Sequence, residues 1–251
     1  MTTKDSTNFD ELYFRETIKN KVTKTGTTIV GLKYETGVIL CADTRSTSGP
    51  VVGDKNCSKI HYIAPKIMCC GAGTAADTEF VTRMASKELQ LFSYKHMKDP
   101  YVSHCNRYIC DYLFGYGGNI GAALVLGGVD MNGSELYSIS PNGYSANVDY
   151  TALGSGSLAA MAVLESRFKK DLTKEEAMSI GVDAVKAGIV NDLYSGSNVD
   201  VAVIDIKEGV TYHRGYMVVE SRKDSSEITY PHNSVKIKKE DVFKYVDGIK
   251  K

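Results

Sequence analysis

The chain has 251 residues, 43% of them apolar, enough to bury one substantial core. Thirty basic and thirty acidic side chains cancel to a formal charge of zero, so no global field favours nucleic acid or an anionic membrane. No run reaches the roughly 18 apolar residues of a membrane-spanning helix, and the polar, acidic start lacks the basic and apolar regions of a secretory signal.

Six cysteines, at 41, 57, 69, 70, 105 and 110, lie mostly inside apolar runs without CxxC spacing. They read as small core residues in a reducing compartment. The five histidines show no metal-ligand spacing, and His61 on an apolar strand reads as a core residue. No metal or organic cofactor is called for.

Residues 1–26 are polar, with a small apolar cluster at Phe9, Leu12, Tyr13 and Phe14, and read as a removable leader or a disordered tail. Two strand patterns come next, TTIVGLKYE and VILCADTR, joined by Thr36-Gly37 as a tight hairpin. After a loop over 46–56, a second pair, KIHYIA and IMCCGAG, is separated by Pro65-Lys66. Four nearly continuous apolar strands imply sheets covered on both faces.

The spacing then predicts a long helix over 74–97, with Phe80, Met84 and Leu91 on one face and Val81, Ala85 and Leu89 beside it. A second helix is predicted over 101–114, then strands over 122–129, 135–140 and 148–153. Gly154-Ser155-Gly156-Ser157 opens a third helix, 158–169. Thr173 and Glu176 form a capping box for a fourth, 174–192. Strands 199–206 and 210–216 close the pattern. Strands and helices come in blocks rather than strict βαβ alternation. The order therefore fits an α+β fold, a four-layer αββα sandwich of two mainly antiparallel sheets flanked by helices. Beyond Ser221 the composition turns to Lys, Asp and Ser, with Ile228, Tyr230, Val235, Ile237, Val242 and Phe243 spaced to lie along another surface.

Chemistry concentrates at Gly26-Thr27. Cutting that bond would leave Thr27 with its hydroxyl and a free α-amine, whose reference pKa of about 7.7 to 8.0 suits a base near neutral pH. One residue would then hold both nucleophile and base. A lone Gly-Thr pair is commonplace, so the case rests on the segments downstream of it. The stretch Gly71-Ala72-Gly73-Thr74-Ala75-Ala76 also fits a loose GxGxxG/A dinucleotide fingerprint, but hairpin-like strands precede it and no strand with a terminal acid comes after the helix.

The segments GTTIVG, CADTRST, NCSKIHYI, CCGAGTAADTE, GAALVLGGVD, GSGSLAAMA and NDLYSGSNVD, in this order over about 26–205, resemble the catalytic beta subunits of the 20S proteasome. The resemblance is strongest to the type-2, trypsin-like branch. It implies an Ntn-hydrolase fold and a threonine endopeptidase made as a zymogen that cleaves itself between Gly26 and Thr27. By the same resemblance Thr27 is the nucleophile, Lys59 the charge beside its hydroxyl, and Asp43 the group that holds Lys59. Ser155, Asp192 and Ser195 position the amine and the hydrolytic water, and the Gly73 N–H serves the oxyanion. The floor of the primary pocket is Gly71, with Cys57 and Glu79 further in and Asp54 near the adjoining pocket, so that acidic side chains would attract Lys or Arg of a peptide.

Simpler readings remain for the parts: an Asp and a Lys on neighbouring strands make a structural ion pair, and Glu79 suits a solvated helix N-terminus. The resemblance further implies a domain over 27–221 and a C-terminal extension, 222–251, wrapping a neighbouring subunit. The partners it implies are other alpha and beta subunits in stacked seven-membered rings, and the substrates unfolded or ubiquitin-targeted polypeptides in cytoplasm and nucleus. The competing functions are an assembled but inactive ring subunit and a free-standing amidohydrolase.

Overall fold

In the computed structural model, residues 25–219 are described; the expectations for the apolar cluster near residue 9 and for the extension 222–251 fall outside them. Among the described residues, twelve strands and four helices alternate in blocks. Strands β1 (Ile29–Tyr34) and β2 (Gly37–Asp43) form the first hairpin, β3 (Ser46–Ser48) and β4 (Val51–Asp54) a small second one, and β5 (Ile60–Ala64) and β6 (Ile67–Gly73) a third. Helices α1 (Ala75–His96) and α2 (Val102–Gly115) come next, then β7 (Ala122–Asp130), β8 (Gly133–Ile139), β9 (Ser145–Asn147) and β10 (Tyr150–Leu153). Helices α3 (Ser157–Arg167) and α4 (Lys174–Asn191) precede the closing pair β11 (Asn198–Asp205) and β12 (Gly209–Val218).

Ten of these strands form two five-stranded sheets, ordered β10-β1-β2-β11-β12 and β5-β6-β7-β8-β9, and β3-β4 stands as a two-stranded sheet, with every neighbour antiparallel. Alternation along single strands explains the layering. In β2, Ile39 and Cys41 face α3 and α4, whereas Val38, Leu40 and Ala42 face the other sheet. In β6, Ile67 and Cys69 face α1 and α2, whereas Met68, Cys70 and Ala72 face back across the middle. Three apolar layers thus separate four structural ones, the helix-sheet-sheet-helix sandwich expected from the element order.

Glycines set the spacing of the two sheets. A Cβ on Gly31 would crowd Val125 and Leu136, and one on Gly127 would crowd Val38. The capping box at α4 forms in both directions: Thr173 N–H donates to Glu176 Oε2 at 3.0 Å and Glu176 N–H to Thr173 Oγ1 at 3.3 Å.

Three local expectations are corrected. The segment 46–56 is not a plain loop but contains the β3-β4 hairpin, most of whose residues are exposed and so carry no burial signal. The strand expected over 148–153 forms as β10 from Tyr150, but the short β9 before it is not among the expected strands. The chain leaves β9 in one sheet and enters β10 in the other. Finally, α1 rests on Thr78, Val81, Thr82, Ala85 and Leu89, while Phe80 and Leu91 are half or more exposed. Small side chains suit the close approach of this helix to β5 and β6, and Phe80 instead meets the Tyr112 ring 6.4 Å away.

Five of the six cysteines are buried, as the apolar runs suggest, and all six are free thiols. Cys57 is the exception, half-buried two residues before Lys59.

Candidate active site

Thr27 and Thr28 enter the structure just before β1, and both are buried. Their backbone is gripped from two sides: Asp43 N–H donates to Thr28 O at 3.0 Å, and Gly156 N–H to Thr27 O at 3.2 Å. Close packing here depends on missing side chains. A Cβ on Gly26 would collide with Tyr194, one on Gly154 with the Thr27 carbonyl, and one on Gly156 or Gly188 with the Thr28 side chain. Gly154 also has φ 96°, a conformation L side chains rarely adopt. The GSGS segment, which on sequence alone is only a flexible turn, is therefore a fitted wall.

A buried ion pair lies beneath Thr27. Lys59, at the foot of β5, donates to Asp43 Oδ1 at 2.7 Å, with side-chain exposures of 9% and 0% that put the pair beyond solvent screening. The same ammonium lies 3.3 Å from Thr27 Oγ1 and 3.2 Å from the Gly26 carbonyl oxygen. Asp43 is satisfied by further donors: Thr28 N–H on Oδ1 at 2.9 Å, and Gly196 and Arg45 N–H on Oδ2 at 3.1 and 3.3 Å. A cation aimed at a hydroxyl oxygen favours loss of the hydroxyl proton. The hydroxyl itself donates to Gly26 O at 2.8 Å, so in this intact chain it already lies against the Gly26-Thr27 peptide.

The second group lies on the other side of Thr27. Its nitrogen, here a peptide N–H in the position a free amine would take, donates to Ser155 Oγ at 3.0 Å. Ser155 donates to Asp192 Oδ2 at 2.5 Å, and Ser195 to the same oxygen at 2.6 Å. Burial pushes the Asp192 carboxyl up, but the bonds from Ser155, Ser195 and the Tyr194 and Ser195 backbone outweigh it and hold the group below the usual range. Asp192 is thus an anion near neutral pH, accepting from both hydroxyls.

The structure therefore brings Gly26, Thr27, Asp43, Lys59, Ser155, Asp192 and Ser195 into one connected network. The remaining predicted residues lie around it. Gly73 ends β6 with φ 119°, where a Cβ would strike Gly121 O. Gly71 is buried, and Thr78 fills the space a side chain there would need. Asp54 is exposed and accepts from Asn56 N–H at 2.8 Å. Burial raises the Cys57 thiol pKa, partly offset by the Lys59 charge. Glu79 is 65% exposed and 3.8 Å from Arg83 one helical turn on, as a solvated surface acid would be.

Three residues depart from the sequence reading. Thr28, which carries no signal of its own, joins the network through a 2.8 Å bond between its hydroxyl and Ser195 Oγ. Arg45 lies against Gly196, where a Cβ would collide with the guanidinium, and donates to Leu193 O at 3.3 Å, bracing the 192–196 loop. His61 is half-buried rather than in the core; burial lowers its pKa, and the Glu79 charge opposes this. Among the described residues, no group of three or more His, Cys, Asp or Glu is placed to hold a metal ion.

Two antiparallel sheets packed face to face between helix layers, with this cleft at one end, define the Ntn-hydrolase class of fold. The family model described as "Proteasome subunit" matches residues 23–204, and the chain belongs to the proteasome beta-subunit family. It is 56% identical over 226 residues to the probable proteasome subunit beta type-2 of Encephalitozoon cuniculi, covering 90% of this chain and 99% of that one. To the proteasome subunit beta type-2 of Saccharomyces cerevisiae it is 49% identical, over 90% of this chain and 87% of the other. To the type-7 subunit of Dictyostelium discoideum it is 54% identical, over 80% and 75%. Membership implies assembly with other proteasome subunits.

Proposed function

We propose that the chain is a threonine endopeptidase subunit whose nucleophile is Thr27, exposed by self-cleavage after Gly26. The observation that carries this is the Lys59 ammonium, 2.7 Å from Asp43 and 3.3 Å from the Thr27 hydroxyl. An ion pair serving stability alone has no need to share its cation with a hydroxyl, and a buried pair is weak evidence for stability in any case.

In the precursor the Thr27 oxygen attacks the Gly26 carbonyl carbon. The O–C bond forms, the C–N bond breaks, and the hydroxyl proton finishes on the Thr27 nitrogen; water then hydrolyses the resulting ester. Lys59, within reach of both Thr27 Oγ1 and Gly26 O, can stabilise charge on either oxygen during this step.

In the mature chain the freed amine, through a water, takes the hydroxyl proton as Thr27 attacks a substrate carbonyl, and the Gly73 N–H faces the developing oxyanion. The amine then protonates the leaving group, and a water positioned by Ser155, Asp192 and Ser195 releases the acyl group. Cleavage after basic residues, with Asp54, Cys57, Gly71 and Glu79 shaping the pocket, is supported by the likeness to type-2 subunits and by exposed carboxylates at positions 54 and 79. On this reading residues 1–26 are a propeptide, 27–221 the working domain, and 222–251 an arm on a neighbouring subunit. The assembly is a stack of seven-membered alpha and beta rings, degrading unfolded, ubiquitin-targeted polypeptides in cytoplasm and nucleus.

The test is Thr27→Ala in the assembled particle. Hydrolysis of Arg-ended reporter peptides by this subunit should vanish, and the intact mass should show that the bond after Gly26 is uncut. Undiminished hydrolysis overturns the assignment.

A further inference from the structure

The proposed chemistry uses Thr27, but the next residue is buried more completely still. Thr28 is fully buried, its side chain confined between Gly156 at the start of α3 and Gly188 in α4. Such confinement leaves its hydroxyl a single aim, Ser195 Oγ at 2.8 Å. The direction of that bond is set by proton counting. Ser195 has one hydroxyl proton and gives it to the Asp192 carboxylate at 2.6 Å, so toward Thr28 it can only accept. Thr28 therefore donates. Ser155 spends its proton on the same Asp192 oxygen, leaving a lone pair for the Thr27 nitrogen.

We propose that Thr28 is a positioning residue for the Thr27 amine: its hydroxyl anchors the Ser195–Asp192–Ser155 chain on which that nitrogen rests. This rests on the reading of Thr27 as the nucleophile. A donor behind Ser195 makes Ser195 a stronger donor to Asp192, because hydrogen bonds in a chain polarise one another. Without it, more of the Asp192 charge acts on the ammonium form of the amine. Other charged groups on this side of the site are Lys59 just before β5, Asp43 at the end of β2, and Arg45 just beyond it.

Two substitutions in the full chain, within the assembled particle, separate positioning from packing. Thr28→Val keeps the shape between the glycines and removes only the hydroxyl. Thr28→Ser keeps the hydroxyl and removes the methyl group. We expect Thr28→Val to lower kcat roughly tenfold with KM little changed, about the effect of one lost hydrogen bond. The acid limb of its pH profile should move up by a few tenths of a unit, since more of the amine stays protonated. Thr28→Ser should keep the parental pH limb and a rate within about threefold of it, as rescue by a conserved hydroxyl requires.

A Thr28→Val particle with parental rate and pH limb, beside an inert Thr27→Ala control, overturns this proposal and leaves Thr27 intact as nucleophile. An active Thr27→Ala control instead overturns the reading beneath it. If Thr28→Val does not assemble, Thr28→Ser still decides: a shifted pH limb with the hydroxyl present makes the role one of packing and overturns the proposal.

Discussion

Two buried carboxylates stand at opposite ends of the same strand pair. Asp43 ends β2 and lies beside Val199, and Asp205 ends β11 and lies beside Gly37, so the antiparallel register places them a full strand apart. Each accepts from four donors. Those of Asp205 are all neutral: Tyr34 O–H at 2.9 Å, Thr36 O–H at 2.5 Å, and the N–H groups of Lys207 and Glu208 at 2.7 and 3.1 Å. Those of Asp43 are three N–H groups and the Lys59 ammonium. Neutral donors suffice to bury a carboxylate, as Asp205 demonstrates while clasping the β1-β2 and β11-β12 turns. The lysine at Asp43 therefore supplies something neutral donors cannot: besides pairing the carboxylate, it sets a positive charge against Thr27 and the Gly26 carbonyl.

The largest effect should come from removing that charge. In Lys59→Met the three N–H groups around Asp43 remain at 2.9, 3.1 and 3.3 Å, so the carboxylate keeps part of its solvation and the fold should survive. Loss of the partner charge still leaves Asp43 underpaired, a cost of about 3–5 kcal/mol for a buried pair, visible as a lowered Tm. Peptide hydrolysis should fall by about a thousandfold or more, on the scale of removing a key electrostatic group. Self-cleavage, read by intact mass, should fail with it. A folded Lys59→Met particle that cuts at the parental rate would show the lysine to be solvation after all, and the two ends of the sheet to be alike.

Much of this contrast is legible in the chain itself, though unevenly. Nearly unbroken apolar runs in GVILCAD and IMCCGAG mark the strands because both of their faces are buried, and the Thr173–Glu176 capping box forms as its spacing requires. The β3-β4 hairpin escapes because its exposed residues leave no apolar pattern; on α1 the expected Val81, Ala85 and Leu89 are buried, whereas Phe80 and Leu91 are not, because the helix packs beside them through Thr78 and Thr82. At the site, Thr27, Asp43 and Lys59 are found by resemblance, since their meeting depends on strand order that no local pattern encodes. Thr28 escapes because threonine in a strand-like run is ordinary; its confinement comes from Gly156 and Gly188, 128 and 160 positions downstream by the numbering. Asp205 carries no more signal than the end of a strand.

The other end of the sheet offers smaller, opposite tests. Burial pushes the Asp205 carboxyl up, but its four donors overcome this and depress its pKa well below the usual value. A depressed folded-state pKa means the ionised group favours the folded state. The contribution is complete above the unfolded value of about 3.9 and drains away as pH falls below it toward the folded one. Asp205→Asn should therefore lower stability by about 1–3 kcal/mol at neutral pH, and the gap to the parent should narrow in acid, below about pH 4. Catalysis at neutral pH should be untouched. A gap in denaturation midpoint that does not change with pH would mean the charge of Asp205 plays no part in the clasp.

The mildest perturbation is Tyr34→Phe, which removes one of the four donors and nothing else. The ring is buried in the layer between the first sheet and α3 and α4, and Phe fills the same space. Burial and the Asp205 bond both raise the Tyr34 pKa, so its hydroxyl stays a donor throughout the neutral range. Because Thr36 and two N–H groups still hold Asp205, the loss should be about 0.5–1.5 kcal/mol in denaturant unfolding, with kcat unchanged. A drop in kcat here would mean that the clasp and the Thr27 cleft are coupled along β2 and β11, and the two carboxylates would have to be treated as one device.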